Sequence, residues 1–360
     1  MYIGEKGGAF FDIAESNKLI EASFAVPAGK FRRYHSVSKF AQIFDVKTNL
    51  LNLRDATRVA RGYRQSLKLL RKVRPDIVFI KGGFVAVPVG RACAKLGIPY
   101  ITHDSDTVPG LANRLIAKNA LLHAVGMPKE FYDYPPDKTE VVGIPLAGEY
   151  VEVDDKLMQQ YRNYLQLPDD AQVVFVTGGS LGAQRLNLYM GLAAPELLQA
   201  NPKLYIIHQV GQGNLGVYAN MPADLRPRVQ ESEYVKELYY YSGAADVVVS
   251  RAGATTVAEL ALQGKACIFV PNPYLTGGHQ LSNAKVLSEN GAGEVIHEET
   301  LEKDYRALTI AIQALLEDDA TRQKLAQKLH TLAHPHAAKQ LATIILESIE
   351  YTQENKQKAQ

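Results

Sequence analysis

The sequence predicts an α/β protein made of two Rossmann-like domains, and three observations carry that reading. Short β-branched runs alternate with helical patterns along the chain. Most of these runs end in Gly-rich or polar turns, and the series stops near the middle and starts again. At 360 residues and 46% hydrophobic, the chain is long enough to bury two cores and too balanced in charge for disorder.

The opening MYIG reads as a strand running into the turn EKGG, with no strand or helix before it. An open doubly wound sheet usually begins with a βα unit that carries its own ligand loop. The expectation is therefore a first domain truncated at its N-terminus by about 30 residues, the size of one such unit. Next come two basic stretches, AGKFRRYH (28 to 35) and RDATRVARGYRQSLKLLRKVR (54 to 74). In the second, Arg54, Arg58, Arg61, Arg64, Lys68 and Arg71 recur at spacings of three and four, which gathers them on one helix face. This is a solvated face or a surface for anionic lipid headgroups, with Phe31 and Tyr34 of the first stretch reinforcing the latter.

The runs IVFI (77 to 80) and PYIT (99 to 102) read as strands, and the series closes in VVGIPLAGEYVEVDD (141 to 155). A helix-like KLMQQYRNYLQLP precedes the second series: VVFVT (173 to 177), LYIIH (204 to 208), VVVS (247 to 250) and CIFV (267 to 270). The expected division is residues 1–148, residues 149–335, and a C-terminal helix over 336–360 that packs back toward the first domain and ends in a polar tail.

Net charge is only +2, but residues 1–150 hold 22 Lys/Arg against 14 Asp/Glu and the remainder 18 against 24, so the halves carry +8 and −6. Either the first half faces something anionic or its surface is merely solvated. Nucleic acid is disfavoured as a partner because no aromatic stacking platform interleaves the basic residues. No apolar run approaches the roughly 18 residues needed to span a bilayer, and the N-terminus lacks a signal-peptide pattern. The expected location is cytoplasmic. Cys93 and Cys267 each sit in a small-residue or apolar setting, which reads as buried free thiols.

Three turns of the second half carry chemistry. VVFVT runs into Gly178-Gly179-Ser180-Leu181-Gly182-Ala183 and then a helix. VVVS runs into Arg251-Ala252-Gly253-Ala254-Thr255-Thr256 and another. Gly-rich helix starts let a phosphate approach backbone N–H groups and the positive end of the helix, and two in one domain suit a diphosphate; tight turns also need glycine for steric reasons alone. After CIFV, the loop PNPYLTGGHQ ends in His279 and Gln280, which either read sugar hydroxyls or cap the following helix LSNAKVLSENG. Glu259 has two readings as well. Thr256-x-x-Glu259 has capping-box spacing, or the helix opens on a ligand.

In the order GGSLGA, SRAGATTVAEL, VPNPYLTGGHQLSNA, these elements resemble the MurG family of two-domain GT-B glycosyltransferases. RPDIVFIKGGFVAVPVG, GIPYITHDSDTVPGLANRLIAK and VVGIP extend the resemblance into the first half, so that it covers roughly residues 1–345. It implies a donor, UDP-N-acetylglucosamine, against the second domain, with Gly179 and Ser180 at the diphosphate and the N–H groups of Ala254, Thr255 and Thr256 cradling it. Val235 would hold the uracil, Glu259 the ribose diol, and Gln280 with His279 the sugar. Gly82, Gly83 and Asn113 would serve a lipid-linked acceptor at the inner face of the membrane. No cofactor or metal is implied. The family's HEQN segment reads His103-Asp104-Ser105-Asp106 here, its arginine after VVG-x-P-x is Ala147, its first-domain tyrosine is Phe84, and its N-terminal Gly-rich loop with a histidine has no counterpart. The remaining candidates for a general base are Asp106, then Asp104 and His103. The implied reaction is inverting transfer of N-acetylglucosamine to lipid I, giving lipid II. A diacylglycerol glycosyltransferase, a UDP-N-acetylglucosamine epimerase and a non-catalytic UDP-sugar-binding protein remain as alternatives.

Overall fold

Strand β7 (Gln172–Thr177) shows why this sequence makes parallel sheet: its run Val173-Val174-Phe175-Val176 is wholly buried, as a strand covered by helices on both faces must be. The computed structural model describes residues 1–29, 46–179, 182–274 and 278–358, divided into two compact units, Met1–Val142 with Ala338–Gln360, and Gly143–Ala337.

The first unit holds two parallel sheets. β1 (Tyr2–Gly4) pairs with β2 (Ser23–Ala25) through the crossover helix α1 (Ala9–Ser16). Separately, β3 (Val78–Ile80), β4 (Tyr100–Asp104), β5 (Leu122–Val125) and β6 (Thr139–Val141) lie side by side in chain order. Helix α2 (Val46–Val73) contributes buried Leu70 to a core shared with Ile80, Tyr100 and α3 (Ala86–Leu96). Its cations Arg54, Arg58, Arg61, Arg64, Lys68 and Arg71 are all exposed, and Asp55 pairs with Arg54 and Arg58. Most of the first basic stretch, with Phe31 and Tyr34, lies outside the described residues. A short helix α4 (Leu111–Ile116) follows β4.

The second unit opens with α5 (Asp155–Tyr164), capped by Asp154, whose carboxylate accepts from the Leu157 N–H. Its sheet has six parallel strands in the order β12-β11-β10-β7-β8-β9, with β8 (Leu204–Gln209), β9 (Val229–Ser232), β10 (Val247–Ser250), β11 (Ala266–Phe269) and β12 (Glu294–Val295). The chain runs from β7 to β9 in one direction, then crosses back to β10 on the other side of β7. That reversal makes the carboxyl ends of β7 and β10 the switch point, where open α/β sheets leave a crevice for ligands. Helices α6 (Gln184–Ala200) and α7 (Leu238–Ala244) follow β7 and β9, and α8 (Ala254–Gln263) and α9 (His279–Glu289) follow β10 and β11. Next come α10 (Glu298–Lys303), α11 (Arg306–Glu317) and α12 (Asp319–His330). The last helix, α13 (Ala337–Lys358), returns to the first unit, where Leu341, Ile344 and Ile345 pack on Ile101, Ala124 and Val142.

Cys93 and Cys267 are buried free thiols. Among the described residues no helix is long and apolar enough to cross a membrane.

Candidate functional site

The turns of the second unit sit where its topology leaves the crevice. After β7, Gly179 donates its N–H to Thr177 Oγ1 at 3.1 Å, while Ser180 and Leu181 lie outside the described residues. Gly182 is required by two constraints. Its φ is +71°, and an added Cβ would sit 2.2 Å from the Val210 carbonyl oxygen. The turn is therefore pressed against the carboxyl end of the neighbouring β8 before α6 begins.

After β10, α8 starts at Ala254, with Gly253 at its N-cap and no side-chain cap. The N–H groups of its first turn, Ala254 to Thr256, thus face the crevice end of the sheet with no side chain of the cap residue on them. This overturns the capping-box reading: Thr256 is the third helical residue and Glu259 the sixth, so the T-x-x-E spacing falls inside the helix. Glu259 instead is half-buried, with the Tyr150 hydroxyl as its electrostatic neighbour. Burial pushes its carboxyl up to about 7, and the nearby Tyr150 hydroxyl acts in the opposite direction.

Helix α9 begins with His279 and Gln280, so neither residue caps a helix that starts at Leu281. Gln280 is fixed by its Oε1, which accepts from the Asn272 N–H at 2.8 Å, and its Nε2 lies near the open face of Gly253. One turn on, buried Asn283 donates to the Ala252 carbonyl at 3.0 Å. Asn283 thus ties α9 to the turn before α8, and Gln280 ties it to the loop after β11. Arg251, also buried, donates to the Val270 carbonyl at 2.9 Å and pairs with Glu298 at 2.5 Å, which braces the same turns from beneath. Val235 is buried in the segment between β9 and α7. The second unit thus brings Gly179, Ala254, Thr255, Thr256, Glu259, His279 and Gln280 to one edge of one sheet.

The first unit has a second cluster at the carboxyl ends of β3 and β4. Gly82 and Gly83 adopt φ values of +110° and +78°, and Asn113 lies directly under Gly82. Asn113 is buried and donates from Nδ2 to the His103 carbonyl and to Asp104 Oδ1, both at 3.0 Å. Asp104 is enclosed: Oδ1 also accepts from the Gly110 N–H, and Oδ2 accepts from the Tyr134 hydroxyl, each at 2.9 Å. Burial raises its pKa despite these donors and the nearby Lys81. His103 is fully buried. Its Nδ1 is 2.6 Å from Lys81 Nζ, which also donates to Ser105 Oγ at 2.7 Å. Because an ammonium can only donate, the imidazole proton belongs on Nε2. Burial lowers the Lys81 pKa to about 8, while Asp104 and Asp106 raise it. Asp106 is only half-buried, and its carbonyl accepts from the Tyr132 hydroxyl at 2.9 Å. Among the three sequence-derived base candidates, His103 and Asp104 are thus built into the scaffold and Asp106 is the one with access to solvent.

Two participants have no signal in the motifs: Lys81, visible only as the residue before a Gly pair, and Tyr150, in the link that follows β6.

Comparison with known proteins follows the same division. The model of the glycosyltransferase family 28 N-terminal domain matches residues 2–122, and that of the family 28 C-terminal domain matches residues 173–341. A UDP-N-acetylglucosamine–N-acetylmuramyl-(pentapeptide) pyrophosphoryl-undecaprenol N-acetylglucosamine transferase of Geobacter sulfurreducens is 34% identical, over 81% of this chain and 78% of its own. The transferase of the same name from Desulforudis audaxviator is 30% identical over 96% of this chain and 89% of its own. Among solved structures, the crystal structure of Acinetobacter baumannii MurG matches with a TM-score of 0.69 at 22% identity, covering 96% of this chain and 90% of that one.

Proposed function

As the chain belongs to glycosyltransferase family 28, we propose that it catalyses the reaction for which its relatives are named, with its second unit holding the donor and its first unit the acceptor. It is a hexosyltransferase that moves N-acetylglucosamine from UDP-N-acetylglucosamine to undecaprenyl-pyrophosphoryl-N-acetylmuramyl pentapeptide, converting lipid I to lipid II. The observation that carries the reading is the convergence of two glycine-rich helix starts and the Gln280-bearing helix on the switch point of a family 28 sheet.

In this reading the uracil lies at Val235, the ribose diol donates to Glu259, and the diphosphate meets Gly179, Ser180 and the N–H groups of Ala254, Thr255 and Thr256. Gln280, with His279, contacts the sugar. The acceptor hydroxyl oxygen bonds to the anomeric carbon as the bond from that carbon to the UDP oxygen breaks. The electron pair leaves with the diphosphate, stabilised by backbone N–H groups and the α8 dipole. The hydroxyl proton passes to Asp106 as general base. Gly82 and Gly83 open the backbone to the acceptor, and Asn113 holds the loop below them. The exposed basic face of α2 draws the protein to an anionic membrane surface, consistent with a peripheral enzyme at the cytoplasmic face.

The test runs radiolabelled UDP-N-acetylglucosamine with lipid I and with diacylglycerol side by side. The expected result is labelled lipid II and released UDP, with no label on diacylglycerol. Label on diacylglycerol, or a 2-epimer of the nucleotide sugar, would replace the reading. Asp106→Asn should lower kcat about 10²- to 10⁴-fold, the usual contribution of a general base, with UDP affinity unchanged; an unchanged kcat removes Asp106 from the reaction.

A further inference from the structure

Lys81 follows β3 directly and precedes the Gly82-Gly83 pair, at the end of a parallel strand where open α/β sheets meet their ligands. It is exposed, and two contacts fix its ammonium. Nζ donates to Ser105 Oγ at 2.7 Å and lies 2.6 Å from Nδ1 of the fully buried His103. Both partners are uncharged, since an imidazole nitrogen that accepts from an ammonium carries no proton and the hydroxyl is neutral. Asp104, next along β4, spends its carboxylate on the Gly110 N–H, Asn113 Nδ2 and the Tyr134 hydroxyl. An ammonium has three N–H groups. The two contacts account for two of them and hold the charge at the end of the strand.

The backbone beside this charge is open. A Cβ added at Gly83 would meet nothing within 4 Å, and one at Gly82 would meet the Asn113 amide. Helix α3 then starts at Ala86 with no side-chain cap and no acidic residue in its first turn, so nothing local offsets its positive end. Asn113 is 1% exposed, yet its Oδ1 has no hydrogen-bond partner among the described residues and faces the side of Gly82 that a side chain would fill. The site therefore offers a fixed cation for an oxyanion and a buried oxygen for a hydroxyl, the two groups that a sugar phosphate carries together.

From this geometry we infer that Lys81 binds a phosphate oxygen of the lipid-linked acceptor and so selects an anionic acceptor over a neutral one. The inference rests on the reading of the first unit as the acceptor side. Lys81 belongs to none of the motifs that carry the family resemblance, and its ammonium adds what glycine N–H groups cannot, a full positive charge. The ionisable groups that bear on it are Asp104 and Asp106, which favour its charged form, while burial opposes them and brings its pKa down to about 8.

The experiment compares the full chain as wild type, Lys81→Gln and Lys81→Arg in steady-state transfer to lipid I on both sides of pH 8. Lys81→Gln should raise KM for lipid I about tenfold or more, the equivalent of a lost charge-assisted contact, with KM for UDP-N-acetylglucosamine unchanged. Lys81→Arg should recover most of that loss. Wild-type KM for lipid I should rise above about pH 8 as the ammonium deprotonates, because the diphosphate diester does not titrate there, and Lys81→Arg should lack the rise. Calorimetric titration with inorganic pyrophosphate, under saturating UDP to fill the second unit, reads the same site without turnover and should show weaker binding by Lys81→Gln. Co-sedimentation with phosphatidylglycerol vesicles should be the same for all three proteins. An unmoved KM for lipid I, an unmoved pyrophosphate affinity, or an arginine no better than glutamine overturns the inference alone, the last reducing Lys81 to a brace for His103 and Ser105. Weaker vesicle binding by Lys81→Gln with an unmoved KM would overturn it by assigning the cation to lipid headgroups. If the wild type transfers nothing to lipid I while pyrophosphate binding still depends on Lys81, the proposed reaction falls and the anion site stands. Thermal melts of the three proteins separate these outcomes from unfolding.

Discussion

Glu259 is where a titration that bears on stability meets the proposed ribose contact. Its carboxyl is raised from 4.5 to about 7, mainly by burial, so between these values the folded protein holds a proton that the unfolded chain releases. Stability is fully present below about 4.5 and is lost as pH rises toward 7. The loss is on the order of 3 kcal/mol. Glu259→Gln removes the titration at nearly the same size and shape, so the variant should melt at a higher temperature than the wild type at pH 8 and at a similar one at pH 4.5. Calorimetric melts at the two pH values check this, and a variant less stable at pH 8 would contradict it. The residue's place on the helix after β10 was legible because GATTVAEL follows a strand and opens a helix. Its local environment was not: Thr256 and Glu259 have the same spacing in a first turn as in a second, and Tyr150 is remote in sequence. Asp104 and His103 show the same limit. Their nearness to a Gly-rich loop was legible, but their enclosure depends on Tyr134, Asn113 and Lys81 arriving from three other segments.

Elements were legible in proportion to their apolar length. β7, β8, β10 and β11 are almost wholly buried runs and read directly from the sequence. β2, β5, β6 and β9 are only three or four residues long and carry polar positions, so tertiary pairing rather than local pattern defines them. Just before α6, Gly182 is tightly determined by sterics. Gly182→Ala would force a side chain into both an unfavourable φ and the Val210 carbonyl; urea denaturation should show a loss of at least about 1 to 3 kcal/mol, together with weaker UDP binding. An unperturbed midpoint would mean that the turn is loose. For α2, replacing Arg58, Arg61 and Lys68 by Gln should weaken partition onto anionic vesicles by about 1 kcal/mol per cation and flatten its salt dependence, with UDP affinity intact. Equal co-sedimentation of variant and wild type would leave the stripe a solvated face.

At the scale of the molecule, the charge split follows the roles proposed for the two units. The basic half carries the exposed α2 face and the Lys81 cluster, and the acidic half carries the switch-point crevice, where the proposed diphosphate contacts are backbone N–H groups instead of net charge. The two-unit organisation was legible from the break in the βα series. The separation of β1 and β2 from the sheet of β3 to β6 was not, because hydrophobic pattern specifies strands without specifying their neighbours. Everything proposed for the donor depends on the switch point between β7 and β10 being the nucleotide site. The crystal structure of the full chain with UDP tests this directly. The diphosphate is expected on the N–H groups at the start of α8, with the ribose diol on Glu259 and the uracil at Val235; a nucleotide seated instead on Gly82 and Gly83, with the α8 turn empty, would contradict the assignment.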